Sequence, residues 1–344
     1  MEIHAPSGAE LATLPRVILL AGPTAVGKTA LSLALARALD AEIINMDSVQ
    51  IYRGLDIGSA KLPLEEREGV PHHLIDLLRP DEEHNVGEFK DRALDVIASL
   101  HDRGKAALVV GGTGLYLRVL VHGLLDAPEP DQIIRARHKQ VLQSSDDGVR
   151  LLHAQLAEVD PELAASIHEN DFVRISRGLE IFEQTGNKLS QLQREHQFRL
   201  PNLNALKIAL WRPRQELYAR IDARVDAMIT HGLREECEAL FSRYPRTCNV
   251  FSSLGYRQMA AHLFDDVPLD ATIEEIKQKT RRYAKQQLSW LRSEPDVYWL
   301  RAPVLEEGGA IPLPLLDDLR AFLEQGREPS ASWASPDKDR DAGT

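Results

Sequence analysis

The chain has 344 residues, 43% of them hydrophobic and 27% charged, with a formal net charge of −11. That length accommodates one large or two moderate domains around an apolar core, and the composition is that of a globular protein rather than a disordered or fibrous one. No apolar run reaches the roughly 18–20 residues of a bilayer span, and Cys237 and Cys248 form neither a disulfide framework nor a metal-ligand pattern.

In chain order, the opening MEIHAPSGAELATLPR lacks a basic start followed by an apolar block, so no secretory signal is expected and the location is read as cytoplasmic. RVILLA at 16–21 reads as a buried strand ended by Gly-Pro, and KTALSLALARAL at 28–39 as a helix of good formers. AEIIN at 41–45 and HHLID at 72–76 read as two more strands. FKDRALDVIASLHDRG reads as a helix closing at Gly104. AALVV at 106–110 is a further buried strand, ended by GGTG and followed by a helix. Strands without polar alternation, separated by helices, indicate an α/β fold with a parallel sheet covered on both faces.

From about Asp126 the pattern changes. DAPEPD is a linker-like break, and the residues to about 200 are helical with no strand signal. ALKIAL at 205–210 restores a strand, long helices follow at 214–231 and about 272–292, and VYWL at 297–300 is the last strand. The expected organisation is a nucleotide-fold core, 1–125 and 203–302, interrupted by a helical insert at 126–202. Residues 303–344 form a C-terminal extension whose polar end, REPSASWASPDKDRDAGT, is expected to lack order.

GPTAVGKT at 22–29 has both the spelling and the strand–turn–helix context of a phosphate-binding P-loop. Its backbone over Gly22, Pro23, Thr24, Ala25, Val26 and Gly27 can turn N–H groups towards phosphate oxygens, and the following helix adds a partial positive charge. Lys28 adds a full charge, and the Thr29 hydroxyl is placed to ligate Mg²⁺. The loop identifies a diphosphate or triphosphate ligand, not a reaction. Asp47 ends the second strand, so the crevice beyond the strand carboxyl ends should gather Asp47, Thr113 and 22–29.

Eight strings then occur in a specific order: GPTAVGKT, DSVQIY, DIGSAK, HHLID, GGTGLY, NDFVRISRGLE, LGYRQ and TRRYAKQQLSWLR. This order resembles that of the tRNA dimethylallyltransferases, or tRNA isopentenyltransferases, over residues 16 to 300. The resemblance implies a P-loop NTPase-like core with a helical insertion domain that binds tRNA. It also implies transfer of a dimethylallyl group from dimethylallyl diphosphate to the N6 amine of the adenosine 3′ to the anticodon, in tRNAs reading codons that start with U. Asp47 would take the proton from that amine, with Lys28, Thr29 and Mg²⁺ on the leaving diphosphate. By resemblance an arginine of LYARIDARVDAM also reaches the diphosphate; Arg220 and Arg224 share a helix face, and spacing does not separate them.

The family pattern assigns tRNA contacts to Asp47, Ser48, Val49 and Gln50, and to Thr113 and Arg135. It extends them to Val173, Arg174, Ile175, Ser176 and Arg177, and to Ser252, Ser253, Leu254, Gly255, Tyr256 and Arg257. On the late helix it names Lys285, Gln286, Gln287, Leu288, Ser289, Trp290, Leu291 and Arg292. The net negative charge argues against a nucleic-acid partner, but 277–292 holds six basic residues and no acidic one. As a helix it puts Arg281, Lys285 and Arg292 on one face and Ala284, Leu288 and Leu291 on another. Ser59 stands where the family commonly has Thr, Gln286 where it often has Arg, and Ser289 where Thr is common. His72 and His73, adjacent in a strand, face opposite ways and are read as structural.

Three other readings stay open: prenylation of free adenine nucleotides, a small-molecule kinase, and a non-catalytic RNA-binding role. A monomer is expected, with an anticodon stem-loop and dimethylallyl diphosphate as partners and no membrane.

Overall fold

The computed structural model describes residues 13–125, 127–196, 202–303 and 311–329. Six strands form a single parallel sheet: β1 (Arg16–Ala21), β2 (Ala41–Met46), β3 (His72–His73), β4 (Ala106–Gly111), β5 (Asn204–Trp211) and β6 (Val297–Arg301). Their spatial order is β3-β2-β4-β1-β5-β6, so β1 is flanked by β4 and β5. Every expected strand forms. HHLID, however, contributes only its two histidines, because Leu74 (φ 58°) and Asp76 (φ 56°) turn into the left-handed region and end the extended backbone.

The helices are α1 (Lys28–Leu39), α2 (Val86–Asp102), α3 (Gly114–His122), α4 (Gln132–Ser144), α5 (Gly148–Val159), α6 (Pro161–Ser166), α7 (Phe172–Thr185) and α8 (Leu189–His196). After β5 come α9 (Arg214–Thr230), α10 (Leu233–Arg243), α11 (Tyr256–Phe264), α12 (Leu269–Ser293) and α13 (Leu313–Gln325).

Alternation along β1 sets the layers. Ile18 and Leu20 pack with Leu31 and Leu35 of α1, Ile221 of α9, and Leu319 and Phe322 of α13. Val17 and Leu19 face the other way, onto Phe89 and Ile97 of α2, Leu117 of α3 and Leu291 of α12. Each fully buried large aliphatic side chain contributes about 1.5–3 kcal/mol, so the two faces together account for much of the cohesion of this unit. A third cluster, including Ile51, Leu55, Leu240 and Tyr256, joins the segment after β2 to α10 and α11.

Of the described residues, 13–122 and 202–329 form one compact unit and 123–196 a second. The second unit is helical, α4 to α8, around Leu152, Leu156, Leu163, Ile175 and Leu179. The C-terminal extension belongs to the first unit: α13 buries Leu315, Leu319 and Phe322 against the sheet layer. The tail expected to lack order lies, beyond residue 329, outside the described residues.

Candidate active site at the carboxyl ends of the strands

The loop between β1 and α1 is held from outside. Arg212 donates through Nε to the Val26 carbonyl at 2.8 Å, Arg220 through Nε to the Ala25 carbonyl at 2.9 Å, and the Thr24 amide donates to Gln287 Oε1 at 2.9 Å. Gly27 has φ 109°, a value that side-chain-bearing residues rarely adopt. Lys28 turns back on its own loop, donating through Nζ to the carbonyls of Gly22 at 2.9 Å and Pro23 at 2.8 Å. Desolvation, reinforced by the nearby Arg224 guanidinium and opposed by the Asp47 carboxylate, lowers the Lys28 pKa to about 7. Thr29, in the first turn of α1, is exposed.

Asp47 follows β2 directly. Its Oδ1 accepts from the amides of Val49 at 2.8 Å and Gln50 at 3.3 Å, the turn-capping role a strand-end Asp often takes. Oδ2 carries no protein hydrogen bond among the described residues. The Asp47 charge acts on Lys28, on Arg224, and on the hydroxyls of Tyr116 and Tyr283; burial first and then Asp47 push Tyr283 up to about 12. A fixed carboxylate therefore lies among two cations and two phenols. Arg224 is half-buried beside it, its own pKa lowered by desolvation. Arg220, four residues earlier, is exposed and spends its Nε on the loop carbonyl.

The turn after β4 closes the third side. A Cβ at Gly111 would lie 2.0 Å from the Met46 carbonyl oxygen, one at Gly112 2.3 Å from Gln287 Nε2, and one at Gly114 2.3 Å from the Trp290 ring. Close approach of β2 and α12, rather than unusual torsions, thus demands small residues in GGTG. Gln287 donates to the Gly112 carbonyl at 2.9 Å while accepting from Thr24, so one side chain of α12 straps the phosphate loop to this turn. Gly22, Met46, Thr113, Leu117 and Trp290 line the crevice between them, and the Arg118 guanidinium lies 5.0 Å from the Trp290 ring centre.

The first unit thus brings together 22–29, Asp47, Ser48, Gln50, Thr113, Arg220, Arg224 and Gln287. Several residues expected at an RNA surface have buried side chains: Ile175, Ser176, Tyr256, Gln287 and Leu291. Each has partners within the fold. Ser176 pairs with His138 Nδ1 at 2.8 Å, Tyr256 donates to Glu236 Oε1 at 2.7 Å, and Leu291 sits in the sheet-facing core. Gly255 is also buried, its amide donating to Gln258 Oε1 at 3.0 Å.

On α12, Arg282, Lys285, Gln286, Ser289 and Arg292 are exposed, while Leu288 and Trp290 are half-buried. Arg281, expected on the free basic face, is instead paired with Asp222 of α9. Ser252 and Arg257 are exposed; Ser253 and Leu254 are half-buried. Within the second unit, Val173 and Arg174 point to solvent, whereas Arg135 (Nε, 3.0 Å) and Arg177 (Nη1, 2.7 Å) share the fully buried Glu180 carboxylate. His73 Nε2 meets Glu42 Oε2 at 2.7 Å and His72 Nδ1 the Val70 carbonyl at 2.8 Å, contacts of a structural kind.

Sequence reasoning missed Arg212, Glu236 and the strap made by Gln287. Most of their partners are backbone groups distant in the chain, which leave no local pattern. Among the described residues no group of three His, Cys, Asp or Glu side chains is arranged to hold a metal, and no helix is long and apolar enough to cross a membrane.

Residues 50–294 match the family model described as IPP transferase. The chain is 48% identical over 287 residues, 83% of each chain, to a tRNA dimethylallyltransferase of Syntrophobacter fumaroxidans, and 44% identical over 289 residues, 84% of this chain and 93% of the other, to one of Geobacter metallireducens. Among solved structures, the full-length tRNA isopentenylpyrophosphate transferase of Bacillus halodurans is 37% identical with a TM-score of 0.67, the match spanning 90% of this chain and 97% of the other. A eukaryotic dimethylallyltransferase acting on tRNA is 30% identical with a TM-score of 0.77, spanning 93% and 82% respectively. A family-model match over most of the chain, which includes α12, together with relatives 44–48% identical over more than four-fifths of it, places the chain in the IPP transferase family.

Proposed function

We propose that this enzyme transfers the dimethylallyl group of dimethylallyl diphosphate to the N6 amine of the adenosine 3′ to the anticodon, in tRNAs reading codons that start with U. The observation that carries this reading is one carboxylate, Asp47, fixed beside an anion-binding loop at the strand ends. The loop amides, Lys28 and Arg224 grip the diphosphate and stabilise the negative charge that grows as the allylic C–O bond breaks. The N6 nitrogen bonds to the allylic carbon, diphosphate leaves, and Asp47 accepts the amine proton on Oδ2. An adenine inside a stacked loop cannot reach this carboxylate, so the base is extruded, with Ser48, Gln50 and Thr113 as the nearest polar readers.

Magnesium suits this donor set. The ion keeps few protein ligands and takes most of its shell from phosphate oxygens and water, so Thr29 would hold it and it would supply further charge to the leaving group. The exposed basic residues of α12 take the tRNA backbone locally, despite the overall charge of −11. We further propose that the protein acts as a monomer in the cytoplasm.

The test is incubation of the purified protein with labelled dimethylallyl diphosphate, Mg²⁺ and a panel of unmodified tRNAs, followed by nucleoside analysis. Label in isopentenyladenosine next to the anticodon is expected, and no incorporation into any tRNA refutes the reading. Including AMP as a competitor separates it from transfer to free nucleotides, in which AMP rather than the stem-loop would take the label.

A further inference from the structure

The segment after β2 contains a concave row of amides. Asp56 and Ile57 donate to Glu236 Oε2 at 2.9 and 2.6 Å, and Gly58 donates to Oε1 at 3.1 Å. Successive amides arranged in this way form a site for an anion, and here the anion belongs to α10 of the same chain. Tyr256 completes the set, donating its hydroxyl to Oε1 at 2.7 Å from a fully buried position. A Cβ at Gly58 would fall 2.6 Å from the Tyr256 ring, so the loop is seated directly on that ring. The sequence reading gave Glu236 no role, and it touches none of the reacting groups.

The other side of the same loop faces the site. Gln50 Nε2 donates to the carbonyls of Ser59 at 3.0 Å and Ala60 at 3.4 Å, and Arg224 Nη2 reaches the Ser59 carbonyl at 3.5 Å. Lys61 fixes the end of the loop, its Nζ meeting the Tyr52 carbonyl at 2.7 Å, Asp56 Oδ1 at 2.7 Å and Asp76 Oδ1 at 2.6 Å. Residues 56–60 thus carry two opposed sets of hydrogen bonds, one to Glu236 and one to side chains beside Asp47. Lys61 alone does not hold the middle of the loop, where Gly58 and Ser59 lie.

We propose that Glu236 is a positioning residue for tRNA selection: by holding the amides of Asp56, Ile57 and Gly58 it sets the Ser59 and Ala60 carbonyls that orient Gln50, and to a lesser degree Arg224. This rests on the tRNA-prenylating function proposed above. A carboxamide cannot replace the carboxylate, because its NH₂ presents donors to amides that are themselves donors.

The experiment is steady-state kinetics on the full chain with an unmodified tRNA substrate. In Glu236→Gln the KM for tRNA rises about tenfold while kcat stays within about threefold. Added to Gln50→Ala, Glu236→Gln raises that KM by no more than about twofold further, because both changes act through one contact. Glu236→Asp, which keeps the anion one methylene shorter, recovers part of the loss. Melting curves accompany each variant. Merely structural damage would lower the active fraction, and so the apparent kcat, without moving KM.

Multiplicative effects of the two substitutions, or an unchanged tRNA KM, overturn the proposal. Should Glu236→Gln fail to fold, Glu236→Asp takes its place in the same double-mutant comparison, and an unchanged KM there overturns it equally. A wild-type protein that transfers no prenyl group to tRNA refutes the proposed function, whereas an active wild type with additive variants refutes only the role of Glu236.

Discussion

Lys28 supplies the sharpest test of the site. In the free protein its ammonium lies against the carbonyls of Gly22 and Pro23, and desolvation together with Arg224 brings its pKa to about 7. A bound diphosphate reverses that balance, since its charge favours the protonated form and restores the ordinary value of about 10.4 or more. At pH 8 the free side chain is about one-tenth protonated and the bound one fully so, which makes binding take up about 0.9 proton; the figure falls to about 0.5 at pH 7 and about 0.1 at pH 6. Because the free form is the deprotonated one, affinity falls as pH rises. Above pH 8 each unit costs about 1.4 kcal/mol, or tenfold in Kd, until the bound pKa is reached. The last ionisation of a phosphate group, near about pH 6, lies well below this window. Titration calorimetry of dimethylallyl diphosphate at pH 8, in two buffers of different ionisation enthalpy, reads the uptake directly. Lys28→Arg keeps the charge but cannot lose the proton, so it should bind with no uptake and a flat pH profile. Zero uptake by the wild type, or equal uptake in Lys28→Arg, would refute the reasoning.

Asp47→Asn should lower kcat by about 10²–10⁴ while tRNA affinity, measured by filter binding, stays within about threefold; a comparable loss of affinity would remove the proton-acceptor role. Arg224→Gln should raise the KM for dimethylallyl diphosphate by about 10–100-fold through loss of a charged hydrogen bond, whereas Arg220→Gln, whose guanidinium holds only a loop carbonyl, should raise it by less than about fivefold; the reverse order would reassign the arm. Arg282→Ala with Lys285→Ala should weaken tRNA binding and reduce its log–log salt slope by about 1.4, two phosphate contacts at about 0.7 each. An unchanged slope would mean that this face does not meet RNA.

Four of the six strands, β1, β2, β4 and β5, could be read because each carries an aliphatic run with little polar alternation, the mark of a sheet buried on both faces. The phosphate loop and Asp47 were legible because they stand at fixed places, directly after strands end. HHLID looked like five strand residues, but the turns at Leu74 and Asp76 are backbone events that such side chains do not announce. In α13 the spacing of Leu315, Leu319 and Phe322 was present in the sequence as an apolar helical stripe, obscured by the polar residues after it. Arg220 and Arg224 look equivalent by spacing; only packing against the loop separates them. The basic face of α12 was legible as composition, yet its pairing of Arg281 with Asp222 depended on a neighbouring helix.

The crossing between α3 and β5 has a consequence for how such a chain can change. The Asn202 amide donates to the Val121 carbonyl at 2.9 Å, and its side chain reaches the Leu120 carbonyl at 3.3 Å. The detour through the second unit therefore leaves the sheet and rejoins it at one stitch. Closing a detour costs entropy only with the logarithm of its length, about 0.6 kcal/mol per doubling. Lengthening or trimming what lies beyond the stitch hardly alters the stability of the strands, which leaves that portion free to drift in size while the chemistry at the strand ends stays in place.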